Sequence, residues 1–137
     1  MSNDDWKYVE ERLRVLWTGV ELMCDGYRIR LDLKQISQFR NVITVTINGW
    51  FRGKWLMRGD VNEEGRRFFP TRQRYLYSGK SRAVFKKMSK QTLKRLRIDP
   101  DEKYSYKDYA WRSFNALKKH LIENNQSIEL RQKRNDE

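Results

Sequence analysis

Asp32-Leu33-Lys34 has the acid-x-Lys form that sets a carboxylate beside an amine, and Asp25 lies upstream, with Glu10 and Glu11 in the segment before it. Carboxylates so placed could hold Mg²⁺ while Lys34 helps to activate a water, the chemistry of a metal-dependent nuclease. Asp25 also has a simpler explanation as the first residue of an Asp25-Gly26 turn, and one short strand separates it from Asp32. Ser78-Gly79-Lys80-Ser81 ends like a phosphate-binding loop, but Arg74 stands where the earlier glycine is required, which excludes nucleotide hydrolysis. A helix starting there would still offer free backbone donors beside Lys80 and Arg82 to a single phosphate. His120 has no second histidine with which to share a metal and reads as a surface residue. Cys24 ends an apolar strand face and reads as packing; a lone cysteine precludes an intrachain disulfide and a cysteine-rich zinc site. No cofactor and no resident metal are expected.

A stronger signal comes from charge. The chain carries 30 Lys and Arg against 18 Asp and Glu, a formal net charge of +12. Between Glu64 and Asp99 there is no acidic residue. In that stretch Arg66, Arg67, Arg72, Arg74, Lys80, Arg82, Lys86, Lys87, Lys90, Lys94, Arg95 and Arg97 account for the whole excess. Charge added only for solubility has no reason to concentrate in one third of a chain, whereas a clustered basic segment is the footprint of a polyanion site. If one helix runs through it, Lys86, Lys90, Lys94 and Arg97 form a ridge at steps of four, four and three, whose mutual repulsion a phosphate backbone would reverse.

Aromatic rings alternate with these cations. Arg66, Arg67, Phe68, Phe69, Arg72, Arg74, Tyr75 and Tyr77 form one such run, and Trp50, Phe51, Arg52, Lys54, Trp55 and Arg58 another. Cations that track phosphates and rings that stack on bases suit single-stranded or flipped nucleotides. Core packing competes for the same rings, above all Phe68, Phe69 and at least one of Trp50 and Trp55.

The elements that must position these residues follow from periodicity. Trp6, Val9, Leu13 and Leu16 recur at helical steps between Trp6 and Trp17, with Ser2 or Asn3 as cap and Asp4 and Asp5 at the positive end of the helix. Val20 to Cys24, Asp25-Gly26 and Tyr27 to Leu33 predict a hairpin in which Cys24 faces Tyr27, Leu22 faces Ile29 and Val20 faces Leu31. A second hairpin is expected from Val42 to Ile47, Asn48-Gly49 and Trp50 to Leu56. A two-residue turn there sets Arg52 and Lys54 against Val45 and Ile43, so either Gly53 makes a bulge, the favoured reading, or the ribbon extends beyond the core. Residues 58–65 read as a loop, and Arg66 to Tyr77 has no clear period.

Ser81 could cap a helix towards Leu96 with Val84, Phe85, Met88, Leu93 and Leu96 on one stripe, which Ser89 could break in two; Asp99-Pro100 ends it. A closing helix is expected within Tyr104 to Asn124, followed by docking to about Leu130 and a frayed polar tail over 131–137. The fold class is therefore α+β, with an N-terminal helix, an antiparallel sheet of about four strands, a basic helix and a C-terminal helix, in one domain over 1–130. A chain of 137 residues is long enough for one core, and with few aliphatic residues its five Trp, six Phe and seven Tyr must fill much of it. The single cysteine, the acidic polar start and the absence of any long apolar run predict a cytoplasmic protein with no membrane partner.

Three resemblances follow. The order of helix, strand, acid and acid-x-Lys is similar to the core of restriction-type nucleases. The order of helix, strands and basic helix, with Gly79-Lys80-Ser81-Arg82, resembles double-stranded-RNA-binding domains, although Val84, Phe85 and Met88 replace their alanine-rich continuation. Trp111-Arg112-Ser113-Phe114, with Leu117 to Ile122 and Asn124-Asn125, resembles small uncharacterised phage or prophage accessory proteins over about a quarter of the chain. That last resemblance implies a part in host takeover or counter-defence and transfers no site. The leading expectation is a non-enzymatic binder of DNA or RNA, with residues 66–97 on phosphates, some hairpin aromatics on bases, and Trp50, Arg52 and Lys54 among the binding residues. The alternative is an interaction protein docking on an acidic protein or nucleoprotein surface, and the lower alternative is the Mg²⁺-dependent nuclease of Asp25, Asp32 and Lys34.

Overall fold

The computed structural model describes residues 1–57 and 62–131. Of the tail expected over 131–137 only Arg131 is described, and its amide donates to Glu21 O at 3.0 Å; the rest, and the first part of the loop expected from residue 58, lie outside the described residues. The chain is α+β, as its periodicities predict, and forms two compact units: Met1–Pro70 with the chain from Lys107 onward, and Thr71–Tyr106. The stretch expected to be one domain thus contains a second unit of its own.

In the larger unit, helix α1 (Asn3–Arg12) starts where Ser2 and Asp5 satisfy each other's backbone N–H groups, both at 3.1 Å. It stops a turn short of the expected Trp17. The Arg12 guanidinium donates to the carbonyls of Gly19 (2.9 Å) and Thr18 (3.1 Å), and Trp17 and Gly19 take positive φ angles, turning the chain towards the sheet. Strands β1 (Val20–Cys24) and β2 (Tyr27–Ser37) pair in the register read from sequence, across a turn in which Asp25 and Gly26 have φ of 47° and 89°. Both positive angles are what a two-residue turn of matching twist requires.

The second hairpin needs correction. β3 (Arg40–Ile47) pairs antiparallel with β2, through a turn at Gln38 and Phe39, and Asn48-Gly49 yields only one further bridge, Ile47 to Trp50. Gly53–Leu56 is then a short 3-10 turn, neither bulged strand nor protruding ribbon. Continued pairing would have placed Arg52 and Lys54 opposite the buried Val45 and Ile43; the turn instead puts the Trp55 indole into the core. The β3 edge is taken by β6 (Ala110–Trp111).

Residues Glu63–Phe68 form helix α2, replacing the end of the expected loop, with Asn62 as cap. The closing helix α5 (Phe114–Asn124) begins ten residues later than Tyr104, because Ala110 and Trp111 are needed as sheet. The strand β7 (Ile128–Leu130) then docks on β1, giving the sheet order β6-β3-β2-β1-β7. Alternate residues of β1, β2 and β3 join Trp6 and Val9 of α1, Leu13 at its C-cap, Leu117 and Leu121 of α5, and Trp55, Phe68, Phe69 and Trp111 in one buried cluster. Arg30, Asp32, Lys34, Thr44 and Thr46 point to the other face of the sheet.

In the smaller unit β4 (Thr71–Tyr75) and β5 (Lys103–Lys107, whose last residue belongs to the larger unit) form a two-stranded sheet. Between them lie α3 (Gly79–Lys86) and α4 (Lys90–Leu96), in place of one continuous basic helix. Ser89 makes the break: its hydroxyl accepts from the Thr92 amide at 3.1 Å, capping α4. The cap of α3 is Ser78, not Ser81, with its hydroxyl 3.2 Å from the Ser81 amide.

Candidate functional site

The smaller unit takes most of the excess charge, although it includes the acidic residues Asp99, Asp101 and Glu102 that the sequence segment lacked. Thr71–Tyr106 holds eleven Lys and Arg against three Asp and Glu, a net of +8, leaving +4 for the rest of the chain. None of its side chains is buried. Leu76, Val84 and Leu96 are half exposed or more. A unit without buried residues must be held largely by polar contacts, and Arg82 supplies several. Its guanidinium lies 3.5 Å from the Tyr75 ring centroid, donates to Pro100 O at 3.2 Å, and bonds Asp101 at 2.9 Å. Those bonds hold the Asp101 carboxyl below the usual carboxylate range, and Lys86, at 3.4 Å, shares it.

Arg82 is thus fastened inward, whereas Lys80, Lys90, Lys94 and Arg97 are exposed. Arg74 is also exposed, with its guanidinium over the Tyr106 ring, and Arg72 is half-buried in β4. The ridge expected from Lys86 to Arg97 is not continuous. Lys86 ends α3, Lys90 and Lys94 sit a turn apart on α4, and Arg97 is the left-handed cap at φ 58°. Lys80 flanks the start of α3, where the backbone donors point away from the helix.

The other candidates belong to the larger unit. Trp50, Arg52 and Lys54 are exposed around the turn after β3. Arg66 is exposed on α2, and its carbonyl meets His120 Nε2 at 2.8 Å. Arg67 is committed to the fold. Its guanidinium reaches Asp25 (2.7 Å), Glu63 (2.7 Å) and Asn125 Oδ1 (3.0 Å) and lies over the Tyr27 ring. The candidate set therefore divides between the two units: Arg72 to Arg97 in one, and Trp50, Arg52, Lys54, Arg66 and Arg67 in the other.

The three residues of the nuclease constellation are not brought together. Asp25 sits in the hairpin turn and Asp32 five residues past Tyr27, the start of β2, roughly 17 Å along the strand. Asp25 accepts from the amides of Gln126 and Ser127, both at 2.8 Å, and from Arg67, which together hold its carboxyl below the ordinary range. Asp32 pairs with Arg30 at 3.0 Å. Among the described residues no three His, Cys, Asp or Glu side chains converge to hold a metal. Cys24 is fully buried beside Asp25, and burial first, the neighbouring carboxylate second, push its thiol up to about 12, so it stays protonated.

Two features were not read from the sequence. Asp25 ties the turn to α2 and to the chain after α5; the Asp-Gly signal explained its backbone and concealed its side chain. Lys107 is a buried cation that donates to Phe69 O at 3.1 Å, and nothing local in Tyr106-Lys107-Asp108 marks it.

The chain matches no family model, no curated protein and no solved structure. Among the described residues no helix is long and apolar enough to cross a membrane.

Proposed function

We propose that this chain is a non-enzymatic nucleic-acid-binding protein in which the Thr71–Tyr106 unit supplies the main phosphate contacts. The observation that carries the reading is the +8 charge of a unit with no buried side chain. Such a unit presents nearly all its cations to solvent, where a phosphate backbone gains affinity by releasing counterions. Lys80, Arg74, Lys86, Lys90, Lys94 and Arg97 are the contacts expected first, with Arg72 beside them on β4. Arg82 shapes the surface, and Arg67 belongs to the fold. Arg66, Trp50, Arg52 and Lys54 are secondary contacts. The resemblance to phage accessory proteins would set this binding in host takeover or counter-defence.

The exposed Leu76, Val84 and Leu96 among those cations favour one second reading, docking on an acidic protein surface. Titrating nuclease-treated protein against labelled single- and double-stranded DNA and RNA at several salt concentrations separates the two. Binding that weakens steeply with salt supports the first reading. Absence of binding to every nucleic acid at low salt refutes it and leaves the acidic protein partner.

A further inference from the structure

The larger unit holds a cleft of about 310 Å³, lined by Trp17, Lys34, Ile36, Thr44, Phe51 and Tyr109. Its aromatic walls are open to solvent: Trp17 is 71% exposed, Phe51 45% and Tyr109 43%. Exposed rings occur elsewhere, as at Phe39 and Trp50, but here three of them converge on one concavity. Trp17 is also not on a loose loop. Arg12 grips the two carbonyls that follow it, at 3.1 and 2.9 Å. Gly19, at φ 67°, lies against the Arg30 guanidinium and the Asp32 carboxylate, so any side chain there would meet a strained backbone and have to push those groups aside. Trp17 itself holds φ at 66°, a conformation that bulky residues avoid and that persists only where the surroundings impose it. The fold thus fixes an exposed indole at the rim of a concave surface.

The lining also selects the ligand chemistry. Rings bind flat, polarisable groups; Lys34 Nζ stands over the Trp17 ring, 6.0 Å from its centroid, and the Thr44 hydroxyl, which donates to Asp32 O at 3.4 Å, keeps its oxygen as an acceptor on the same sheet face. A planar heterocycle with polar edges, linked to an anion, matches rings, hydroxyl and amine together. In a duplex both faces of a base are already stacked, so only an unpaired base offers its face to such a cleft. We propose that the cleft takes one unpaired nucleobase, with the Trp17 indole as its stacking platform, Tyr109 and Phe51 as walls and Lys34 beside the adjoining phosphate. The inference rests on the nucleic-acid-binding reading and adds that the chain prefers single strands.

The test measures anisotropy at low salt with a labelled oligothymidylate and an abasic strand of the same length, for the native chain, Trp17→Ala, Trp17→Phe and Tyr109→Ala. The native chain is expected to prefer the strand with bases by about five- to a hundredfold. Trp17→Ala should lose most of that preference, Trp17→Phe and Tyr109→Ala part of it, and all three should keep their affinity for the abasic strand. A native chain that binds both strands equally, or a preference intact in Trp17→Ala and Tyr109→Ala, overturns the base site and leaves phosphate binding by the basic unit standing. Failure of the native chain to bind either strand overturns the nucleic-acid reading and this inference with it.

Discussion

Replacing Lys90, Lys94 and Arg95 by Gln removes three exposed cations from one face region of α4 without touching a buried group. Glutamine keeps helix propensity close to that of Lys and Arg, and losing Lys90 from the first turn removes a charge of the wrong sign for a helix N-terminus. Stability should therefore change by no more than about 0.5 kcal/mol. If each cation neutralises one duplex phosphate, the slope of log K against log salt becomes shallower by about 0.9 per contact, up to roughly 2.7 for three. At 0.1 M salt the same relation raises Kd about eightfold per contact and about 500-fold for all three. Anisotropy titrations between about 50 and 200 mM salt measure slope and affinity together, with thermal melting as the check on folding. Arg67→Gln is the matching control: its guanidinium already serves Asp25, Glu63 and Asn125, so it should lower stability and leave the slope unchanged. A triple variant that folds and binds with the native slope would refute the assignment of α4 to phosphates.

Asp25→Asn should lower the melting temperature at neutral pH, because the charged carboxylate holds Gln126, Ser127 and Arg67. Its folded-state pKa lies below the unfolded value, so the stabilisation is present above about pH 4 and fades as pH falls through the folded value. The two melting curves should converge in acid, and a gap that stays constant with pH contradicts the account. Trp111→Phe removes the indole N–H that donates to Phe68 O at 2.9 Å in the core. Urea titration should show a loss of about 1–3 kcal/mol, the cost of leaving a buried carbonyl without a partner. Cys24 should resist a thiol reagent at pH 8 in the folded chain and react on unfolding, since its thiol is buried and pushed up to about 12; prompt labelling of native protein would contradict that placement.

The smaller unit explains why charge and lack of a core occur together. Below about 40 residues apolar burial seldom suffices to hold a fold, and here no side chain is more than partly buried. Arg82 over Tyr75, its bonds to Pro100 and Asp101, and the edge contact of Tyr77 with Phe85 connect the strands to the helices. Lys90 and Lys94, one turn apart on α4, repel each other well within a Debye length of roughly 10 Å at 0.1 M salt. A bound polyanion relieves that repulsion, so under the proposed function binding and cohesion of the unit reinforce each other.

Local chemistry was legible in most segments that satisfied their own backbone, the Asn62 and Ser78 caps being missed. Ser2 and Asp5 cap α1, Asp25-Gly26 fixes the first hairpin to the residue, Ser89 divides the basic helices, and Asn125 ends α5, each through contacts within a few positions in the chain. Total charge and its clustering were equally explicit, because neither depends on folding. What the sequence left open were choices between distant competitors for one place. The edge of β3 went to Ala110 and Trp111 rather than to the segment after Asn48-Gly49, because those residues bury a ring and a satisfied indole where Arg52 and Lys54 would have buried charge. The same competition decided which cations face outward. Arg67 and Lys107 are indistinguishable in composition from Lys90 or Lys94, yet the first is enclosed by Asp25, Glu63 and Asn125 and the second is buried against Phe69. A net charge is additive along the chain; the partners that consume or spare each charge are set by long-range packing, which only the tertiary structure decides.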